Sequence, residues 1–402
     1  EIKERKIWIF FDEINTCNSM GLLTEIMCKN TIYGKPLDSR YVFIAACNPY
    51  RVSKKENFLL NVLYKKNQKK KNLVYTVNPL PMSLMNFVFN FGSLKPDDES
   101  AYIKSMVEKV VNKFFDEKTN HKIKEYLINV ETQCVKLCQN FLKKNNDDSI
   151  VSLREVNRFN IFLEFFISYL LERKQKRKII EKDFELDEIY NFYSSKSEME
   201  IFYYALNLSL YICYYLRLPD KNTRLELTSL INEKKYFQYN FLRIPEMELN
   251  FLIKNFIIPE GIAKNKSLKE NLFLLFFCII NKIPLIICGK PGRSKTLSFQ
   301  ILQNSMKGVL SPNSFCQKYP ELLSFKIQGS LNTTSEEIIN IFKRGRTNQE
   351  RNPDKLWVIF MDEMGLAEIS ENNPLKVMHA ELEQEQNKIA FVGIRSEERR
   401  VG

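Results

Sequence analysis

The chain has 402 residues and is basic, with a net charge of +12, 44% hydrophobic residues and 27% charged residues. That length and balance leave room for two or three packed domains and exclude an intrinsically disordered chain. The longest apolar run, Leu272 to Ile280, falls far short of the ~20 residues that a membrane-spanning helix needs. The charged start, Glu1 to Lys6, is not that of a signal peptide. Nine cysteines show no CxxC spacing and there are two histidines, so no zinc site is expected. Cys134 and Cys138 fall on a helical pattern and read as buried thiols, which points to a reducing, intracellular compartment. The densest basic run, Lys65 to Lys71, has no interleaved aromatics and reads as a solvated loop, so no nucleic-acid partner is expected.

Residues 5–11 are apolar without alternation and read as a buried strand of a parallel sheet. A helix is expected from about 17 to 29, then a second buried strand over Tyr41–Cys47 and a third over Leu73–Val77, stopped by Asn78-Pro79. From Pro79 to about Leu249 apolar residues recur at helical spacing. The charged segments 174–200 and 219–245 are expected to be loop-rich within it.

Near Phe251 the pattern changes again. An apolar helix over Leu268–Ile280 precedes a short strand, Ile283–Cys288, and a helix follows over Lys295–Met306. Leu323–Ile327 reads as a strand. Thr334 and Glu337 form a capping box opening the next helix. Leu356–Met361 and Lys388–Gly393 are further strands. Strands alternating with helices imply an α/β fold with a parallel, doubly wound sheet.

Between the strand at 283–288 and its helix lies Gly289-Lys290-Pro291-Gly292-Arg293-Ser294-Lys295-Thr296. Such a loop aims backbone N–H groups and a helix N-terminus at phosphates. Lys295 supplies a point charge for them, and Thr296 a hydroxyl for Mg²⁺. The usual pattern has Gly just before the Lys, where this chain has Ser294. Two strands end in adjacent carboxylates, Asp12-Glu13 and Asp362-Glu363. Each Asp is a candidate Mg²⁺ ligand and each Glu a candidate base for an attacking water. Asn48 ends the strand after the first pair, at the sheet edge where ligands bind, and its amide can hold that water. Arg154, in the helical region, is a candidate clamp on nucleotide phosphates, with Arg158 as the second choice. Arg51 is a weak candidate arginine finger.

In this order, these motifs resemble the AAA+ superfamily. With Phe43–Arg51, Leu94–Glu99, Ile262–Asn265 and Asp362–Glu368, they resemble the mysterin-type giant AAA+ E3 ubiquitin ligases over residues 5 to about 394. The resemblance implies P-loop AAA+ cores, each a parallel sheet with helices on both faces, joined by a large all-helical lid. Two partial modules are expected. Residues 1–78 are the back half of a first core, 79–250 the helical lid, and 251–394 the front half of a second core. It implies Walker A on Gly289, Gly292, Lys295 and Thr296, Walker B on Asp12-Glu13 and Asp362-Glu363, sensor 1 on Asn48 and sensor 2 on Arg154. A Ser before the Lys is also usual in that family.

The resemblance further implies ATP and Mg²⁺ as cofactors, neighbouring AAA+ modules of the same chain as ring partners, and protein substrates and ubiquitin machinery beyond them. Ligase activity would lie outside these residues, which hold no Cys/His module. It also implies a cytoplasmic location, with lipid droplets known for the family. The alternative is a dynein- or midasin-type motor or remodelling ATPase without ligase activity, and a third class is a scaffold that binds nucleotide without turnover. After Ile394 the family continues Ser-Asn-Trp, whereas this chain reads Arg395-Ser396-Glu397 and on to Gly402. Residues 395–402 are therefore expected to be an artefactual tail that removes the second sensor Asn.

Overall fold

The computed structural model describes residues 5–48, 77–92, 94–115, 121–145, 150–176, 187–368, 370, 374–383 and 389–396. The expected strand over Leu73–Val77 (Val77 apart), the basic run at 65–71 and Arg51 lie outside them. By its packing the chain divides into two compact units. One comprises residues 1–99 with 142–150, the other 100–141 with 151–402.

In the first unit, β1 (Ile7–Phe11) pairs in parallel with β4 (Tyr41–Ala45), Phe11 opposite Ala45. A parallel pair needs a crossover, which α1 (Met20–Lys29) supplies together with a small hairpin of β2 (Thr31–Ile32) and β3 (Lys35–Pro36). Asn30, in the left-handed region at φ 53°, ends α1 and turns the chain into that hairpin. Further on, Asn78 donates its backbone N–H to Asn15 O at 2.7 Å and its amide to Cys17 O at 3.1 Å. Those bonds carry the chain past the end of β1 into α2 (Met82–Met85). β1 is not the buried strand expected: Ile7, Trp8 and Phe10 are 45%, 66% and 62% exposed. An unbroken apolar run marks a strand covered on both faces, and in this unit only two long strands pair among the described residues.

The second unit begins with helices. These are α3 (Pro96–Phe114), α4 (His121–Asn145), α5 (Leu153–Lys176), α6 (Asp187–Ser194), α7 (Glu198–Leu210), α8 (Lys221–Glu233), α9 (Arg243–Asn255) and α10 (Lys266–Ile280). α3 and the last turn of α4 extend into the first unit's residues. A π-helical turn, Tyr211–Tyr215, prolongs α7.

The described parts of the two segments expected to be loop-rich are largely helical. In the second of them Lys221, Glu226, Glu233 and Lys234 are exposed, while Ile189, Tyr193, Leu227 and Ile231 are buried. Their ends are capped as well: Ser197 and Glu200 form a capping box and Asp220 caps α8. An aromatic core fills the bundle, with Phe277 4.7 Å from both Phe166 and Phe273 between ring centroids. Within it the buried Arg173 and Glu248 pair at 2.6 Å, and Tyr193 donates its hydroxyl to Glu248 at 2.9 Å.

The α/β part holds four parallel strands: β5 (Leu285–Gly289), β6 (Glu321–Gln328), β7 (Lys355–Asp362) and β8 (Ala390–Ser396). They lie in the order β5-β8-β7-β6. Helices α11 (Lys295–Ser305), α12 (Ser335–Arg351), α13 (Met364–Glu368) and α14 (Leu375–Glu383) connect them. The capping box at Thr334 and Glu337 forms as expected.

Both faces of the sheet are covered. Phe360 of β7 stacks on Phe299 of α11 at 4.2 Å. The alternate residues Ile359 and Met361 pack with Ile338 and Phe342 of α12 and Met378 of α14. This double covering explains why β7 reads as a continuous apolar run. β8 runs two residues past Ile394, with Arg395 opposite Cys288 and Ser396 opposite Gly289.

Candidate functional site

The sheet order sets the site. The strand before the phosphate loop (β5) and the strand before the carboxylates (β7) flank β8, so their carboxyl ends meet along one edge, where open α/β sheets bind ligands. Gly289 ends β5, and Lys290, Pro291, Gly292 and Arg293 form an exposed loop. Gly292 takes φ +78° and Ser294 takes φ 56°. The residue usually Gly here is thus a serine held in the left-handed region. The loop is pinned from two sides: Asn271 of α10 donates to Arg293 O at 3.1 Å, and Ser298 donates to Ser294 O at 2.6 Å.

Lys295 is 6% exposed and lies under the loop, donating to Gly289 O at 2.7 Å and Lys290 O at 2.9 Å. Thr296 donates its hydroxyl to Asp362 Oδ2 at 3.1 Å. A hydroxyl and a carboxylate in contact beside a phosphate loop are oxygen donors of the kind that Mg²⁺ takes while keeping most of its water. Thr296 and Asp362 therefore fit that ion.

Glu363 follows Asp362 in the left-handed region at φ 49°, its N–H donating to Asp362 Oδ1 at 2.9 Å. Its carboxylate accepts from Gln328 Nε2 at 3.0 Å. Gln328 ends β6 directly opposite Asp362. The next residue, Gly329, donates its N–H to Asp362 O at 2.8 Å, and a Cβ there would lie 2.4 Å from Glu363 O. Gln328, Gly329 and Asn271 were not among the residues read from the sequence. The signal for the first two is the register of β6 on β7, which no local motif carries.

The first unit repeats this local geometry. Glu13 stands at φ 48°, and its N–H donates to Asp12 Oδ1 at 2.9 Å. Asn48 reaches Glu13 Oε1 at 3.4 Å, and the buried Asn15 donates to Asn48 O at 2.7 Å. Asp12, Glu13 and Asn48 are thus brought together. Phe11 faces Ala45 in this unit, and Met361 faces Gly393 in the other. Counting on from those pairs, Ser396 occupies the station that Asn48 holds. Arg154 lies in the first turn of α5, exposed and paired with Glu383 of α14 at 3.3 Å, and Arg158 pairs with Glu155 at 3.3 Å.

Residues 261–398 match the family model of the RNF213 AAA domain. Curated relatives align with 96% of the chain. The E3 ubiquitin-protein ligase rnf213-beta of Danio rerio is 32% identical over 420 residues, and the E3 ubiquitin-protein ligases RNF213 of Homo sapiens and Mus musculus are 30% and 31% identical. This chain resembles the RNF213-type AAA proteins along nearly its whole length. That bears out the resemblance read from the motifs, and the parallel sheet clad by helices agrees with the AAA match. The chain spans 8% of the length of each of these relatives. Among the described residues no helix is long and apolar enough to cross a membrane.

Proposed function

We propose that the second unit binds ATP with Mg²⁺ and that, within a complete AAA+ module, it hydrolyses it. The contact of Thr296 with Asp362, beside a loop closed over Lys295, carries this reading. Lys295 and the loop N–H groups would hold the phosphates, Thr296 and Asp362 the Mg²⁺, and Glu363 would orient or deprotonate the attacking water. In the first unit Asp12, Glu13 and Asn48 would play the Mg²⁺, base and water-holding roles. Arg154, on α5 of the second unit, would be a phosphate clamp in the complete protein. The second unit has Ser396 at the station where the first has the water-holding Asn48, so this chain by itself would turn ATP over weakly or not at all. The parent protein would be an E3 ubiquitin ligase that acts on protein substrates, as the names of the relatives suggest, and a cytoplasmic ring ATPase, as the resemblance of its motifs implies. We propose too that its native sequence departs from this chain at residue 395, placing an amide where Ser396 stands; sequencing the transcript through this point decides it.

Binding of a fluorescent ATP analogue tests the nucleotide reading. Saturable, Mg²⁺-dependent binding is expected, weakened roughly tenfold or more in Lys295→Ala, which removes the charged donor to the phosphates. Equal binding by both proteins would sink it.

A further inference from the structure

Two successive peptide planes at the end of the phosphate loop are held in different ways. Ser294 is left-handed, at φ 56° and ψ 23°, and Lys295 opens α11. A left-handed residue followed by a right-handed helical one turns successive backbone N–H groups toward one hollow, which suits an anion. The Ser294–Lys295 peptide is fixed from within the helix, since Ser294 O accepts the N–H of Ser298 at 2.9 Å and its hydroxyl at 2.6 Å. The Arg293–Ser294 peptide stands one residue further out. Its carbonyl takes a hydrogen bond from another element instead, the side-chain amide of Asn271 on α10, at 3.1 Å.

That bond has a directional consequence. No described peptide bond is cis, and in a planar trans peptide C=O and N–H point in opposite directions. Drawing the Arg293 carbonyl toward α10 therefore sends the Ser294 N–H away from α10, toward the hollow. Lys290 to Arg293 are exposed, so little packing fixes this peptide otherwise. Asn271 is itself well held. It is buried, the adjacent Leu272 is buried, and Glu270 accepts two bonds from Arg224, at 3.1 and 3.0 Å.

We propose that Asn271 is a positioning residue of the phosphate loop. By holding the Arg293 carbonyl it presets the Ser294 N–H for an oxygen of the ligand's phosphate chain. A group ordered in advance spares the ligand the cost of ordering it on binding. The inference rests on the nucleotide reading above and deepens it in one respect. The effect of Asn271 lies in the phosphates and not in the base, so it extends to an inorganic polyphosphate.

Displacement of a fluorescent ATP analogue, in the presence of Mg²⁺, by ATP and by inorganic tripolyphosphate tests this. Asn271→Ala removes the donor and keeps a strong helix former. Both competitors should then bind roughly three- to tenfold more weakly, by the same factor, which is the range of one hydrogen bond. A purely structural role would lower the stability of the fold and leave the affinity of folded protein as it was. Circular dichroism confirms the fold. If Asn271→Ala does not fold, Asn271→Leu, which keeps the volume and lacks the donor, is read in the same way. Unchanged affinities in a folded variant overturn the proposal. A loss confined to ATP does so too, because it would place Asn271 at the base. Failure of the unsubstituted protein to bind the analogue would remove the nucleotide reading itself, and this inference with it.

Discussion

Gln328 donates its side-chain amide to the carboxylate of Glu363 at 3.0 Å, from the strand that pairs with β7. The candidate base of the second unit is thereby aimed by a side chain that is bonded to Glu363 and not to the phosphate loop or to the side chains of Thr296 and Asp362. Replacing Gln328 by Leu should leave nucleotide affinity nearly unchanged. Turnover in the full-length protein should fall by roughly tenfold, within the range that a positioned general base contributes. Affinity and turnover measured on the same variant check this, and a parallel loss of both would show that Gln328 acts on binding instead.

Gly329 is a steric requirement of the same corner. A methyl group there meets the Glu363 carbonyl oxygen at 2.4 Å and the Asp362 carbonyl oxygen at 3.3 Å, both backbone atoms. Gly329→Ala should destabilise the second unit by about 1–3 kcal/mol, the usual penalty for overpacking. Urea denaturation reads the loss. A variant as stable as the original would mean that the β6 terminus yields freely.

Glu131 on α4 is fully buried, and neither carboxylate oxygen has a hydrogen-bond partner among the described residues. Burial alone pushes its carboxyl well above the usual carboxylate range, so it stays protonated in the fold. In the unfolded chain it ionises near pH 4.5. The unfolded state therefore holds fewer protons above that pH. Stability is fully present below it and declines as pH rises toward the raised native value, with a slope of up to ~1.4 kcal/mol per pH unit from this group. Glu131→Gln should flatten that decline when unfolding free energies are compared from pH 5 to 8. An identical pH dependence in both proteins would show that Glu131 is not its source.

The residues proposed to bear the chemistry were legible because such roles fix residue type at short range. A phosphate loop needs its Gly, Lys and Thr in one stretch, and a carboxylate pair needs its apolar strand. What escaped depends on pairing across long separations. Gln328 meets Glu363 only through the β6–β7 register, and Asn271 holds Arg293 only because α10 packs beside the loop. The helix over Lys221–Glu233 was hidden by charges on its solvent face, which mask the buried stripe in composition. β1 misled in the opposite sense. Its apolar run speaks of two covering layers, but strand pairing in its unit leaves Trp8 and Phe10 open.

Helix α10 touches both halves of the second unit. Asn271 grips the phosphate loop at Arg293 O, while Phe273 and Phe277, on the same rod, are set in the aromatic core with Phe166. Between them there is no hinge, only continuous helix. A shift of the loop that keeps this bond is passed along the helix toward rings that interlock. Site and bundle thus share one rod, held at one point by an amide and along the rest by aromatic rings.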